Sequence, residues 1–335
     1  MEDGVKRESS SLVSQKQKLD ASFTRQGITS GILSAVTFGL YSTISAYAMT
    51  LDPLAGVISV FAAPFVASAI NDTIAAIWLL IFNIAKGRLK EIGRSLAIVP
   101  GLMVILGALF GGPIANGAYL IGIASAGAAA IPISALFPMF GAIFARIFLK
   151  QKISKRVGIG MLICIAGAIL ISMDGGGSVG SDFTFGIICA FIAAIGWGME
   201  GVFSAFGMSM IDSNIAINIR QAVSGIVFII VVLPLFNALD LFKEVLSSPS
   251  IMLIIAAGAL FAASSFLAWY VANSKVGVAT GMSLNSTYVL WGVIFSAIFL
   301  KTSLSPMMIL GAVIITSGAI IVSVNPLDFI KKKEG

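Results

Sequence analysis

Apolar residues run through this chain in long, nearly unbroken stretches, separated by short polar punctuation. Crossing the hydrocarbon core of a bilayer takes roughly 20 apolar residues in a helix. Ten stretches meet or approach that length: 27–49, 58–84, 96–122, 127–149, 157–173, 183–208, 213–238, 250–274, 276–300 and 305–324. The connections are short, so successive helices run antiparallel with no soluble domain between them. The pattern predicts an all-α membrane protein of ten transmembrane helices. Residues 1–26 break the pattern. They are polar, with Ser and Lys prominent and no apolar core, and so read as a disordered cytoplasmic tail rather than a cleaved signal peptide. Residues 325–335 read as a basic cytoplasmic tail.

The stretches repeat. A shift of 151 positions lays residues 126–172 on 277–323 with 15 identities in 47, among them Phe148-Leu149-Lys150 on Phe299-Leu300-Lys301. Gly141, Gly160 and Gly167 fall on Gly292, Gly311 and Gly318, and Tyr119 falls on Tyr270. With another offset, Ser45-Ala-Tyr-Ala-Met49 falls on Ser204-Ala-Phe-Gly-Met208. Two units follow, 27–173 and 183–324, of five spans each. An odd number of spans forces the units into opposite orientations. Two inverted five-helix repeats are the plan of an alternating-access carrier with its site near the midplane, which a channel or scaffold has no need of. Lys and Arg cluster at 6–25, 86–94, 150–156, 275 and 331–333, against Lys243 and Lys301 alone on the other side. That bias places both termini in the cytoplasm.

Composition fits a multi-pass membrane protein. Of 335 residues 58% are hydrophobic and 11% charged, against about 25% charged in soluble domains. The net charge of +6 lies in loops and tails and is not a nucleic-acid signal. Histidine is absent, and Cys164 and Cys189 sit singly in apolar runs. No metal site, cofactor or enzyme chemistry is expected, and proton handling must rest on carboxylates or tyrosine.

Three ionisable residues fall well inside predicted spans: Asp72, Glu200 and Arg220. Each is expensive there, by about 2.5–3.5 kcal/mol on insertion scales. Glu200 and Arg220 lie at similar depth on adjacent spans, so an ion pair is available to them. It reads either as a structural clip or as a support for Glu200 in binding a cation or a proton. Asp72 has no partner nameable from the sequence; a local hydrogen bond and a proton-coupling role both fit. Aromatic residues sit at mid-depth: Phe38 and Tyr41 in span one, Trp197 in span six, and Tyr288, with Trp291 a turn later, in span nine. Asn285 shares a helical face with Tyr288. An aromatic box beside a carboxylate suits a quaternary ammonium group, because ring faces attract cations more strongly once water is excluded. Trp78, Tyr119, Trp269 and Tyr270 are expected in the interfacial belts. Gly111, Gly112 and Pro113, and Pro132 and Pro138, interrupt spans three and four and read as hinges or as tolerated kinks.

The ten spans, the repeat, and Pro138 with Phe148-Leu149-Lys150, Ser154 and Gly160 resemble the drug/metabolite transporter superfamily, in particular its EamA-type members. Within it, Ala194-Ile-Gly-Trp-Gly-Met-Glu200, Ile219-Arg-Gln221, Gly111-Gly-Pro113 and Asn285-Ser-Thr-Tyr-Val-Leu-Trp291 are similar to the Lic-type bacterial choline transporters. This chain has Phe38 where that resemblance would place a tryptophan. The resemblance implies a bacterial cytoplasmic-membrane protein importing choline or a similar quaternary amine by symport with protons. Substrate would meet Trp197, Glu200, Tyr288, Trp291, Tyr41, Asn285 and Phe38, with Glu200 and Asp72 coupling protons and Arg220 supporting. Its partners would be the bilayer, a small cation and protons; a homodimer is compatible with the sequence. An exporter of amino acids or other metabolites, and a non-transporting membrane partner protein, are the alternatives.

Overall fold

The computed structural model describes residues 2–148, 150, 155–174, 181–301 and 305–323. The expected basic tail at 325–335 lies outside them. The described residues are helical almost throughout and form ten spans. Span one is Ala21–Ala48, span two Ala62–Ala85, span three Val99–Ala126, span six Asp182–Gly207, span seven Ser213–Leu235, span eight Pro249–Val276 and span nine Val278–Phe299. These seven are each long and apolar enough to cross a bilayer. Span four is Ala130–Ser134 continued by Phe137–Phe148, span five is Lys155–Asp174 and span ten is Pro306–Ser323.

The polar segment before span one is continuous with it. The first helix runs from Glu2 to Ala48 without interruption. Residues 5–26 hold several straight-chain helix formers and neither proline nor glycine, which favours extension of a helix that span one has already nucleated.

Span four breaks at Ala135–Leu136, just ahead of Pro138, whose ring and missing N–H cannot continue the first segment. Span nine breaks at the equivalent place, at Thr287 between Val278–Ser286 and Tyr288–Phe299.

The two halves copy each other in detail. Span two ends with Gly87 at φ +70° and span seven with Asn237 at φ +53°. Around each, the same pair of bonds satisfies the last carbonyls: Gly87 N–H to Ile84 and Arg88 N–H to Asn83, then Asn237 N–H to Pro234 and Ala238 N–H to Leu233. This is the left-handed helix stop that glycine and asparagine tolerate best. Each stop leads into a short amphipathic helix, Leu89–Leu96 and Leu239–Leu246. Lys150 and Lys301, matched in the sequence, share a positive φ of 54° and 52°.

Packing follows the same pseudo-symmetry but crosses the repeats. Span one packs on spans eight and nine, and span six on spans three and four. The repeat-related pairs two with seven, and five with ten, pack against each other. The chain is therefore two mixed bundles, one of spans one, eight and nine and one of spans three, four and six, so a bundle is not a sequence repeat.

Spans five and ten explain the matched glycines. A Cβ on Gly167 would lie 2.9 Å from the Gly311 carbonyl, and one on Gly318 would lie 2.7 Å from the Gly160 carbonyl. The contact is reciprocal, as a two-fold axis requires, and glycine permits the close approach of small-residue membrane interfaces. Replacing Gly167 by Leu should lower the stability of the purified protein by about 1–3 kcal/mol, the usual cost of overpacking. Gly158→Ala on the same helix, where a Cβ meets nothing within 4 Å, should cost nothing. Equal melting temperatures for Gly167→Leu and wild type would refute the close contact.

Candidate functional site

Three charges that the sequence places on separate spans meet at one point, fully buried. Arg220 on span seven sends Nε to Glu200 Oε1 at 2.7 Å and Nη2 to Glu200 Oε2 at 3.3 Å. Its Nη1 reaches Asp72 Oδ2 at 3.5 Å and also donates to Gln221 Oε1. Asp72, from the first repeat, accepts from Ser224 Oγ and, at 3.1 Å, from Asn71 Nδ2. Tyr270 donates to Glu200 Oε1 at 2.9 Å, and the ring of Phe266 lies 4.6 Å from the guanidinium carbon. The fork geometry suits arginine, and the surrounding donors and acceptors fill much of what burial takes from water. Two carboxylates share one guanidinium, so the cluster carries one surplus negative charge when both are ionised, and none when one holds a proton.

The Gly-Gly-Pro interruption makes room for this cluster. A Cβ on Gly111 would fall onto the Glu200 carboxylate, and one on Gly112 onto Ser224 Oγ. Pro113 sits in a π-helical bulge, Phe110–Asn116, of the kind found at functional sites. The Gly111 carbonyl there accepts from Trp197 Nε1 at 3.2 Å.

Beside the cluster is an aromatic cavity. Its walls are Phe38, Phe137, Trp197, Phe266, Trp269 and Tyr288, with Ser265 and Asn285. The ring of Phe38 is central, with Tyr288, Tyr41, Trp197, Tyr119 and Phe266 at centroid distances of 4.6, 5.3, 5.7, 5.8 and 5.9 Å. The space left free is narrow, about 10 Å³ for the centre of a water molecule, room for about one water.

A vestibule of about 900 Å³ lies at the bundle end formed by Ala46–Val60, Ile123–Gly127, Asp182 and Phe299–Leu300. Between vestibule and cavity stands Tyr288, whose hydroxyl is 2.6 Å from Ser134 Oγ and donates to the Ile131 carbonyl at 3.1 Å. The thioether end of Met282 lies against Gly141 and Gly201, where an added Cβ would meet it.

Of the residues singled out from the sequence, Phe38, Trp197, Asn285 and Tyr288 line the cavity. Glu200 stands behind the wall, engaged by Arg220 and Tyr270, with Phe266 shared between wall and cluster. Asp72 joins the same cluster. Tyr41 meets Phe38 edge-on, but its hydroxyl turns to Asn116 Oδ1 at 3.3 Å. Trp291 is not part of the cavity. It is half-buried, its backbone presses on Gly39 and its ring stacks on Phe295 at 6.0 Å.

The belt expected at Tyr119, Trp269 and Tyr270 does not hold. All three are buried, while Trp78 is exposed. Tyr119 donates to Ser42 at 2.7 Å. Phe137, Ser265, Phe266 and Trp269 were missed, although the 151-residue shift carries a signal for one of them: it lays Phe137 on Tyr288, as it lays Tyr119 on Tyr270.

The model of the EamA-like transporter family matches residues 25–173 and again 184–324, one copy per repeat. The chain belongs to the EamA-like transporter family. It is a multi-pass membrane protein of a transporter family, not of an enzyme family. Protein LicB of Haemophilus influenzae (strain ATCC 51907 / DSM 11121 / KW20 / Rd) is 28% identical over 220 residues, spanning 64% of this chain and 73% of its own. A crystal structure superposes at a TM-score of 0.61 over 90% of this chain and 97% of that one, with 17% identity, a likeness of fold alone.

Removing Arg220 would strand two carboxylates. Arg220→Met should destabilise the purified protein by about 3–5 kcal/mol, and adding Glu200→Gln and Asp72→Asn should recover most of that loss. A triple variant no more stable than the single one would show that the carboxylates do not depend on Arg220.

Proposed function

We propose that this EamA-family protein is a secondary transporter that brings choline or a similar quaternary amine into a bacterial cell by alternating access, coupled to protons. The observation that carries this reading is the ring cavity centred on Phe38 beside a cluster with one carboxylate more than its guanidinium. Six aromatic side chains form most of its wall, and a desolvated cation over such faces gains about 2 kcal/mol or more. The similarity to LicB and the Lic-type motifs support the same class of solute. An anionic substrate would need Arg220, whose guanidinium is already held by Glu200, Asp72 and Gln221.

Lys and Arg bias would put the vestibule end outside. The arrangement is then outward-facing, with Tyr288, Ser134 and Ile131 as the contact to be opened before solute enters. Asp72 and Glu200 are the carboxylates available to a coupling proton.

Uptake of labelled choline into proteoliposomes tests the reading. Trp197→Leu and Phe38→Leu should each weaken uptake affinity at least about tenfold, and Glu200→Gln should abolish transport while the protein still inserts. Wild-type uptake by Glu200→Gln would take that residue out of the mechanism. Indifference to an imposed pH gradient would remove proton coupling and leave the solute assignment standing.

A further inference from the structure

The wall of the cavity holds five side chains able to hydrogen-bond, and four of them are occupied by protein. Ser265 Oγ donates to the Ser34 carbonyl at 2.9 Å. Asn285 Nδ2 donates to Ser34 Oγ at 2.5 Å. Tyr288 is held by Ser134 and Ile131, and the Trp197 indole by Gly111. The indole N–H of Trp269 is buried and has no hydrogen-bond partner. Its ring neighbours are Tyr270 at 5.4 Å, Phe137 at 6.2 Å and Phe266 at 6.4 Å, whose rings offer an N–H at most a weak contact. Buried polar groups are satisfied in the great majority of cases, and one that is not calls for an explanation. The contrast with Trp197, an indole in the same wall with its N–H satisfied, makes Trp269 the exception.

An indole nitrogen donates and cannot accept. What it lacks is therefore an acceptor, and a bound solute can bring one. The charge balance next door limits which kind. Phe266 joins the wall to a cluster of two carboxylates and one guanidinium, an environment that repels an acceptor carrying its own negative charge. We propose that Trp269 Nε1–H donates to a neutral oxygen of the transported solute, so that the cavity selects a hydroxylated quaternary ammonium ion over an alkylated one and over a zwitterion ending in carboxylate. This rests on the quaternary-amine reading above and adds the group that discriminates among such amines.

Calorimetric titration of the purified protein tests it with three probes of similar size. They are choline, propyltrimethylammonium, in which a methyl replaces the hydroxyl, and glycine betaine, which carries the carboxylate. Wild type should bind choline about tenfold or more tightly than either of the others, because a site built to donate to an oxygen is left unpaired by the analogue lacking it. Trp269→Phe should weaken choline by about that factor more than it weakens propyltrimethylammonium, and so erase the preference. Wild type binding choline and propyltrimethylammonium alike overturns the inference without any variant and leaves the amine reading intact. A Trp269→Phe protein that weakens both to the same extent also overturns it, since that marks Trp269 as packing alone. A wild type that binds none of the three overturns the amine reading and this inference together.

Discussion

One guanidinium held by two carboxylates, all three out of reach of water, constrains everything around it. Each ion loses several kcal/mol of hydration on burial, and that loss is recovered only by close, well-directed partners. The surrounding sequence reads as the list of those partners. Glu200 forks onto Arg220 and takes a further bond from Tyr270; Asp72 takes Ser224 and Asn71. Gly111 and Gly112 are small because the Glu200 carboxylate and Ser224 occupy the places their Cβ atoms would take. The π-helical bulge around Pro113 leaves the Gly111 carbonyl to Trp197, which fixes one wall of the cavity. Gly-Gly-Pro, Glu200, Trp197 and Arg220 are thus parts of one physical unit spread over spans three, six and seven.

The same unit lies where the two bundles meet. Phe38, Phe266, Trp269, Asn285 and Tyr288 come from the bundle of spans one, eight and nine, and Phe137 and Trp197 from the bundle of spans three, four and six. Four fully buried tyrosines cross between bundles by their hydroxyls: Tyr41 to Asn116, Tyr119 to Ser42, Tyr270 to Glu200 and Tyr288 to Ser134. A buried phenol is apolar over most of its surface with one directional bond at its tip. Such a contact holds in one alignment and is lost when the bundles shift. Apart from the charge cluster, such discrete bonds join the interface, which would suit the two packings that the proposed alternating access requires.

Periodicity and the internal repeat made the spans and the inversion legible, because hydrophobic length and matched glycines are local signals; which spans pack together was not. Glu200 with Arg220 was legible as well, since two charges at one depth on neighbouring helices have little else to pair with. The partner of Asp72 was not: it comes from span seven, 148 residues along the chain. The belt assignment of Tyr119, Trp269 and Tyr270 failed for a related reason. Distance from a span's end measures depth, whereas burial depends on azimuth and on which helix packs opposite. Trp291, at the depth of Tyr288, stacks on Phe295 with its backbone against Gly39, a contact set by the helix opposite rather than by depth.

The charge count also bears on the sign of coupling. On the proposed reading, a cation in the cavity would be drawn by the surplus negative charge, which exists only while both Asp72 and Glu200 are ionised. A proton on either carboxylate would remove that surplus, so cation and proton would compete for one charge. Competition for a shared site leads to exchange, in which the proton leaves as the cation enters. Symport requires the opposite, a group that takes its proton more readily once the cation is bound. Within the cluster, Tyr270, Ser224 and Gln221 redistribute hydrogen bonds but add no further charge. Inward coupling to protons would therefore have to come from rearrangement of the cluster itself, with the Asp72–Arg220 contact, at 3.5 Å the longer of the two ion pairs, the place where such a rearrangement costs least.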